Sequence, residues 1–168
     1  MVKRLIDFYR KSSNQVKYFR SMGVKIGDFE IYPSASFGSE PYLISIGKNV
    51  RINANVQFIT HDGGCWVIRN MQDYFKDVDI IKPIKVGNNV HIGTGVTIMP
   101  GVTIGNNCII GVGAIVTRDI LDNSIAVGVP ARVIETIDDY LEKHKDDFIH
   151  TKNMSVEEKK KILIEKFK

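Results

Sequence analysis

Val86-Gly87-Asn88-Asn89-Val90-His91-Ile92-Gly93-Thr94-Gly95-Val96-Thr97-Ile98 opens a six-residue period that runs on to Val116. Val86, Ile92, Ile98, Ile104, Ile110 and Val116 occupy every sixth position. Val90, Val96, Val102, Cys108, Ala114 and Ile120 form a second small or apolar series four residues behind. Neither the helical period nor strand alternation yields a strict six, so this is an internal repeat of the kind that builds a β-helix. Ile46-Gly47-Lys48-Asn49-Val50-Arg51 and Ile52-Asn53-Ala54-Asn55-Val56-Gln57 are earlier copies. Gly47-Lys48-Asn49, Gly87-Asn88-Asn89 and Gly105-Asn106-Asn107 supply the two residue types that best tolerate positive φ at a corner. Three hexads then make one triangular turn of about eighteen residues, with the aliphatics stacked inside as a ladder.

The rest of the chain frames this coil. Residues 24 to 58 read as early coils, less regular between Ile31 and Leu43. The interval from Phe58 to Val86 is not a multiple of six, so a loop, residues 60–83, is inserted there. Residues 1–23 read as an N-terminal cap, with Leu5, Ile6, Phe8, Tyr9, Val16, Tyr18 and Phe19 on a short helix. An uncapped solenoid would expose its core and strand edges. Residues 135–168 turn charged. Ser155-Val156-Glu157-Glu158 is a capping box, and Ile162, Leu163, Ile164 and Phe167 follow on a final helix, expected to be a cap or packing element.

Composition narrows the function classes. At 168 residues and 43% hydrophobic, the chain suffices for one core. The net charge of +4 is mild, and no basic block interleaved with aromatics points to nucleic acid. The N-terminus lacks a signal-peptide apolar run, no stretch is long enough to span a membrane, and Cys65 and Cys108 lack metal-type spacing. A cytoplasmic, reducing location is the expectation. From Val86 to Thr117 there is no Asp, Glu, Lys or Arg. Outward faces of a soluble coil normally carry charge, so a partner subunit or a ligand is expected to cover them, unless Thr, Asn and Gly alone solvate them.

The Ile-Gly-x-x-Val-x units, followed by Gly113-Ala114-Ile115-Val116-Thr117-Arg118-Asp119 and Gly128-Val129-Pro130-Ala131-Arg132-Val133-Ile134, resemble the hexapeptide-repeat acyltransferases. The likeness covers residues 24–134. Within that family it is nearest to the galactoside and maltose O-acetyltransferase branch and its capsular-polysaccharide relatives. It implies an all-β solenoid, a left-handed parallel β-helix, assembled as a homotrimer with active sites between subunits. It also implies an acetyl-CoA-dependent O-acetyltransferase acting on a sugar hydroxyl in capsule or lipopolysaccharide biosynthesis.

In the enzymes it resembles, a histidine in the loop after the early coils is the general base, and His61 in Thr60-His61-Asp62-Gly63-Gly64 matches it. Imidazole suits that role because it takes the proton of the attacking hydroxyl near working pH and returns it to the departing thiolate. Asp62, adjacent, and Glu40, on the preceding coil, are candidates to orient His61 or hold acceptor hydroxyls; either is also readable as a solvated charge. Trp66 would stack on a sugar ring or pin the loop. Residues eighteen apart should stack, placing Thr94, Val112 and Pro130 in one column and Gly93, Gly111 and Val129 beside it. The family positions matching His91, Gly93, Thr94, Val112, Gly113, Thr117, Arg118 and Arg132 line the acetyl-CoA groove, although His91 replaces a tryptophan of the galactoside enzymes. Arg118 and Arg132 suit CoA phosphates, because guanidinium pairs with phosphate bidentately.

Three other readings stay in view. Zinc carbonic anhydrases of this shape need three convergent histidines, whereas only His61 and His91 lie in the repeat region, so no metal is expected. A non-catalytic trimeric scaffold would keep the fold without the chemistry. An amino-sugar nitrogen or an antibiotic hydroxyl would replace the sugar hydroxyl as acceptor.

Overall fold

The computed structural model describes residues 15–27, 29–32 and 34–168. The chain divides into two compact units, Met1–Ile137 and Asp138–Lys168. Leu5, Ile6, Phe8 and Tyr9 of the expected N-terminal cap lie outside the described residues. The cap is seen from α1 (Gln15–Ser21), whose Phe19 is buried.

Twelve strands of the first unit run parallel with their neighbours in three sheets. The first sheet holds β1 (Lys25–Ile26), β3 (Ile44–Ile46), β6 (Ile84–Val86) and β9 (Thr103–Ile104). The second holds β2 (Phe29–Ile31), β4 (Val50–Ile52), β7 (Val90–Ile92), β10 (Cys108–Ile110) and β12 (Ser124–Val127). It ends on the antiparallel β13 (Arg132–Thr136). The third holds β5 (Gln57–Phe58), β8 (Thr97–Ile98) and β11 (Ile115–Val116). The chain visits first, second and third sheets in that rotation. Strands of two or three residues suffice because each circuit is fastened to the next on all three sheets.

The hexads account for the core. Ile46, Val86 and Ile104 stack in the first sheet, Ile52, Ile92 and Ile110 in the second, Phe58, Ile98 and Val116 in the third. All nine are buried, none above 5% exposed. A fully buried side chain of this kind contributes about 1.5–3 kcal/mol, so the columns dominate stability. Phe37 stacks on Phe58 with centroids 4.7 Å apart, and Phe19 of α1 tilts onto Phe37 at 4.3 Å, closing one end of the core with rings.

The corners divide their labour in a way the sequence reading merged. Positive φ falls on Asn49, Asn89, Asn107 and Asn123, at 53–58°, not on the glycines two residues before the first three. Those asparagines form a ladder: Asn49 Nδ2 donates to Asn89 Oδ1 (2.7 Å), Asn89 to Asn107 (2.9 Å) and Asn107 to Asn123 (2.9 Å). Gly87 serves close packing instead, since a Cβ there would stand 2.7 Å from the Gly105 carbonyl carbon.

Register departs from eighteen at both ends. Asn88 and Asn106 are bonded eighteen apart, but the next rung, Asn106 to Asp122, is sixteen. Ile120 therefore bridges to Ile104 and continues the first-sheet column rather than the series behind it. The shortened corner is completed by a side chain: Asp119 Oδ1 accepts from Thr103 N (2.7 Å), where one circuit earlier Lys85 N finds the Val102 carbonyl.

In the second unit, Ser155 and Glu158 form the expected capping box at the start of α4 (Val156–Lys166). Their reciprocal bonds hold the Glu158 carboxyl below its ordinary range. Ahead of it, α3 (Ile137–His144) begins on the last residue of the first unit and continues in the second. Among the described residues no helix is long and apolar enough to cross a membrane.

Candidate active site

The repeat is interrupted where its spacing fails. Across the interruption equivalent positions are forty residues apart rather than eighteen, as Lys48 and Asn88 show. A neck closes the insertion. Lys82 N donates to the Thr60 carbonyl (2.8 Å), Asp62 N to Ile80 (2.9 Å), and His61 bridges antiparallel to Ile81. The insertion is folded, with α2 (Cys65–Met71) inside it and Arg69 ion-paired to Asp79. Asp62 Oδ1 accepts from Gly64 N (2.8 Å), which fixes the turn into α2 and engages that carboxylate locally. Trp66 stands on α2, 71% exposed.

Glu40, not Asp62, faces the histidine. His61 Nδ1 lies 3.4 Å from Glu40 Oε2 and 3.1 Å from Ser39 Oγ. The fully buried Thr60 donates from Oγ1 to the same carboxylate oxygen at 2.5 Å. That hydroxyl holds the Glu40 carboxyl below the usual carboxylate range, helped by Ser39 and His61 against the opposing cost of burial. The charge on Glu40 favours a proton on Nδ1 and leaves Nε2 as the basic nitrogen. His61 keeps 46% of its side chain exposed. Sequence reasoning missed Thr60 and Ser39. Their signal was the early-coil offset of twenty to twenty-two residues, which sets Ser39-Glu40 against Thr60-His61.

A second polar site lies on the second sheet. Arg51 of β4 and His91 of β7 are register partners, and Ile109 of β10 follows His91. They line a groove of about 330 Å³ with Asn49, Asn89 and Ile137. Burial, with the Arg51 charge adding, holds the His91 imidazolium pKa below the usual histidine range. Arg51 was absent from the candidate residues; its register with His91 becomes visible only once the forty-residue offset is known.

The remaining candidates divide. Gly113 N donates to Thr94 O (2.9 Å), which sets Thr94 in register with Val112 as expected. Thr94, Thr117, Arg118 and Arg132 are exposed, and Val112 is 77% exposed. Gly113 takes φ +70°, and a Cβ there would meet nothing within 4 Å, leaving room for a ligand. Gly93 is different. It is buried, its N–H and carbonyl are both used inside the coil, and a Cβ would stand 2.7 Å from Val112 N. Its missing side chain serves coil packing. The column from Thr94 through Val112 does not continue to Pro130 either. The sixteen-residue circuit brings Gly111 to Ala126 and Ile115 to Gly128.

Residues 83–118 match the family described as bacterial transferase hexapeptide (six repeats). Over its whole length the chain is 41% identical to Protein CapG of Staphylococcus aureus, covering 97% of that protein. The chain is a hexapeptide-repeat acyltransferase. This acyltransferase is also 41% identical over 119 residues to the galactoside O-acetyltransferase of Escherichia coli K12, matching 70% of its own length and 54% of that relative's. Among solved structures, a galactoside acetyltransferase in complex with coenzyme A superposes on it with TM-score 0.53 and 27% identity, covering 92% of this chain and 86% of that one.

Proposed function

We propose that this acyltransferase carries acetyl from acetyl-CoA to a saccharide hydroxyl, in the biosynthesis of a capsule or lipopolysaccharide, with His61 as general base. The observation that carries the reading is the Thr60–Glu40–His61 array at the neck of the insertion. Glu40 and Ser39 hold Nδ1, and Nε2 takes the hydroxyl proton of the acceptor as its oxygen attacks the acetyl carbonyl. When the carbon–sulfur bond breaks, the same nitrogen returns the proton to sulfur. The thioester supplies an activated carbonyl; the chain supplies position and proton transfer. Trp66, exposed on the insertion, is the proposed platform for the sugar ring.

For acetyl-CoA, the exposed Val112 beside Thr94 and Gly113 offers an apolar wall with open backbone, as an extended pantetheine arm needs. Thr117, Arg118 and Arg132 complete the proposed groove, the arginines taking phosphate, with His91 on β7 at its thioester end, where the acceptor meets the cofactor. The three sheets are proposed to wind as a left-handed β-helix and to assemble as a homotrimer with a site at each subunit boundary. The family likeness and the absence of charge from Val86 to Thr117 support this. The proposed setting is the cytoplasm, in keeping with two buried free thiols, Cys65 and Cys108.

The test is incubation of the protein with acetyl-CoA and a panel of saccharides, read by mass. Gain of one acetyl that mild alkali removes identifies an ester and supports the reading. An alkali-stable product means an amide on an amino sugar, and no product with any saccharide sinks the proposal. Light scattering that found a stable monomer at micromolar concentration would remove the shared site.

A further inference from the structure

Arg51, the register partner of His91, has a chemistry that the acetyl-transfer reading leaves unused. The Arg51 side chain is about half exposed, and its ion pair is a long one, from Nε to the exposed Glu30 at 3.5 Å, which a better-placed anion can supplement. Burial, with the Arg51 charge adding, lowers the His91 pKa and so favours the neutral imidazole. Its Nε2 sits 3.4 Å from Asn53 Nδ2, and with Nε2 as the acceptor there the proton is on Nδ1. A guanidinium fork and an imidazole N–H one strand apart, about 4.8 Å, make a paired donor set for an oxyanion, and a carboxylate fits the fork bidentately. The groove lining itself holds no acidic side chain; Glu30, beside Arg51 on β2, is the carboxylate that reaches its edge.

The order of the second sheet says which substrate brings the anion. Its strands run β13, β12, β10, β7, β4, β2, so Arg132 on β13 and Arg51 on β4 stand four strand spacings apart, about 19 Å. If Arg118 and Arg132 hold the phosphates of CoA, a cofactor extended along this sheet would set its thioester end towards β7 and β4, and the acceptor would meet it there. We propose that Arg51 and His91 bind an anionic group of the acceptor, and hence that the acceptor is an acidic saccharide such as a uronic acid unit. This rests on the acetyl-transfer reading above for the direction of the cofactor, but the binding itself can be tested without acetyl transfer.

The matched probes are methyl β-D-glucuronide and methyl β-D-glucoside, which differ in one carboxylate. Each is titrated into full-length protein labelled with ¹⁵N-histidine, with the His91 signal assigned from a His91→Gln sample. The glucuronide should shift the His91 resonance and bind about ten- to a hundredfold more tightly than the glucoside, as expected for hydrogen bonds to a charged group. Arg51→Gln should abolish that preference while leaving glucoside and acetyl-CoA affinities unchanged. Arg51→Lys, which keeps the charge and loses the fork, should retain only part of it. Equal binding of the two probes by wild type overturns the proposal. So does a loss of acetyl-CoA affinity in Arg51→Gln, which would assign the oxyanion to the cofactor. A carboxylate preference in a protein that acetylates no saccharide would leave this site standing and remove the acetyl-transfer reading instead.

Discussion

Replacing Thr60 with valine removes one hydroxyl and preserves shape, which isolates the bond that organises the histidine cluster. Thr60 is fully buried, and its hydroxyl is the largest influence lowering the Glu40 carboxyl pKa. A hydrogen bond to a charged acceptor is worth about 1.5–3 kcal/mol. The Glu40 side chain is 15% exposed and keeps Ser39 and His61 as neighbours. Those partners and water recover part of the loss, so the lower end applies, about 1.5–2 kcal/mol at pH 7. The sign of the pH dependence follows from the direction of the shift. A depressed folded pKa contributes stability that is fully present above the unfolded carboxylate value and is lost as pH falls through the folded one. The gap between Thr60→Val and wild type should therefore be widest at neutral pH and shrink in acid. Urea unfolding followed by circular dichroism, at one protein concentration, would measure it from pH 7 down to the most acidic pH at which wild type stays folded. Thr60→Ser keeps the donor and gives up one buried methyl, so it should lose only about 0.8 kcal/mol, with no dependence on pH. A Thr60→Val loss that is constant with pH, or matched by Thr60→Ser, would mean that packing, not the Glu40 bond, is at work.

His61→Ala should lower turnover by about two to four powers of ten, the usual worth of a general base, with acetyl-CoA binding by calorimetry nearly intact; unchanged turnover would move the base elsewhere. Arg118→Ala and Arg132→Ala should each raise the Michaelis constant for acetyl-CoA by about tenfold, with turnover at saturation much less affected. Phosphate contacts are equal in ground and transition states, so steady-state kinetics showing no effect from either change would discard the groove. Asn89→Ala should be less stable than Asn89→Gly by about 1–2 kcal/mol, since only alanine meets the left-handed penalty. Both should fall below wild type through loss of two ladder bonds, and urea midpoints that fail to separate them would refute the division of labour at the corners.

The central circuits were legible because one physical requirement, an aliphatic inside every sixth residue, operates there without interruption from Val86 to Val116. The insertion was legible from the same rule, as the place where the count breaks. What escaped were features set by side chains rather than by period. The last circuit is short because Asp119 stands in for backbone, and nothing in the hexad pattern marks an aspartate as a carbonyl substitute. That one substitution moved Ile120 to another column and displaced Pro130 from its expected neighbours. At the site, His61 was legible from chemistry and resemblance. The preference for Glu40 over Asp62 was not, because adjacency in sequence favours Asp62, and only the folded turn shows that carboxylate engaged by Gly64. Arg51 stayed hidden for a related reason: its pairing with His91 spans the whole insertion.

The reversal of β13 has a consequence for the growth of such a structure. A stack of parallel circuits has no intrinsic last member: a final strand presents the same edge as every strand before it, and a second molecule can continue the pattern. Repetition without a terminator is a recipe for filaments. Here the strand laid on β12 runs the opposite way, with its register broken between Ile125 and Ala126. An incoming β2-type strand therefore meets an edge of the wrong polarity for parallel continuation, which works against end-to-end growth on that sheet. The terminus of the repeat thus acts as a length gauge, and trimming residues 132–136 should turn a discrete particle into one that elongates.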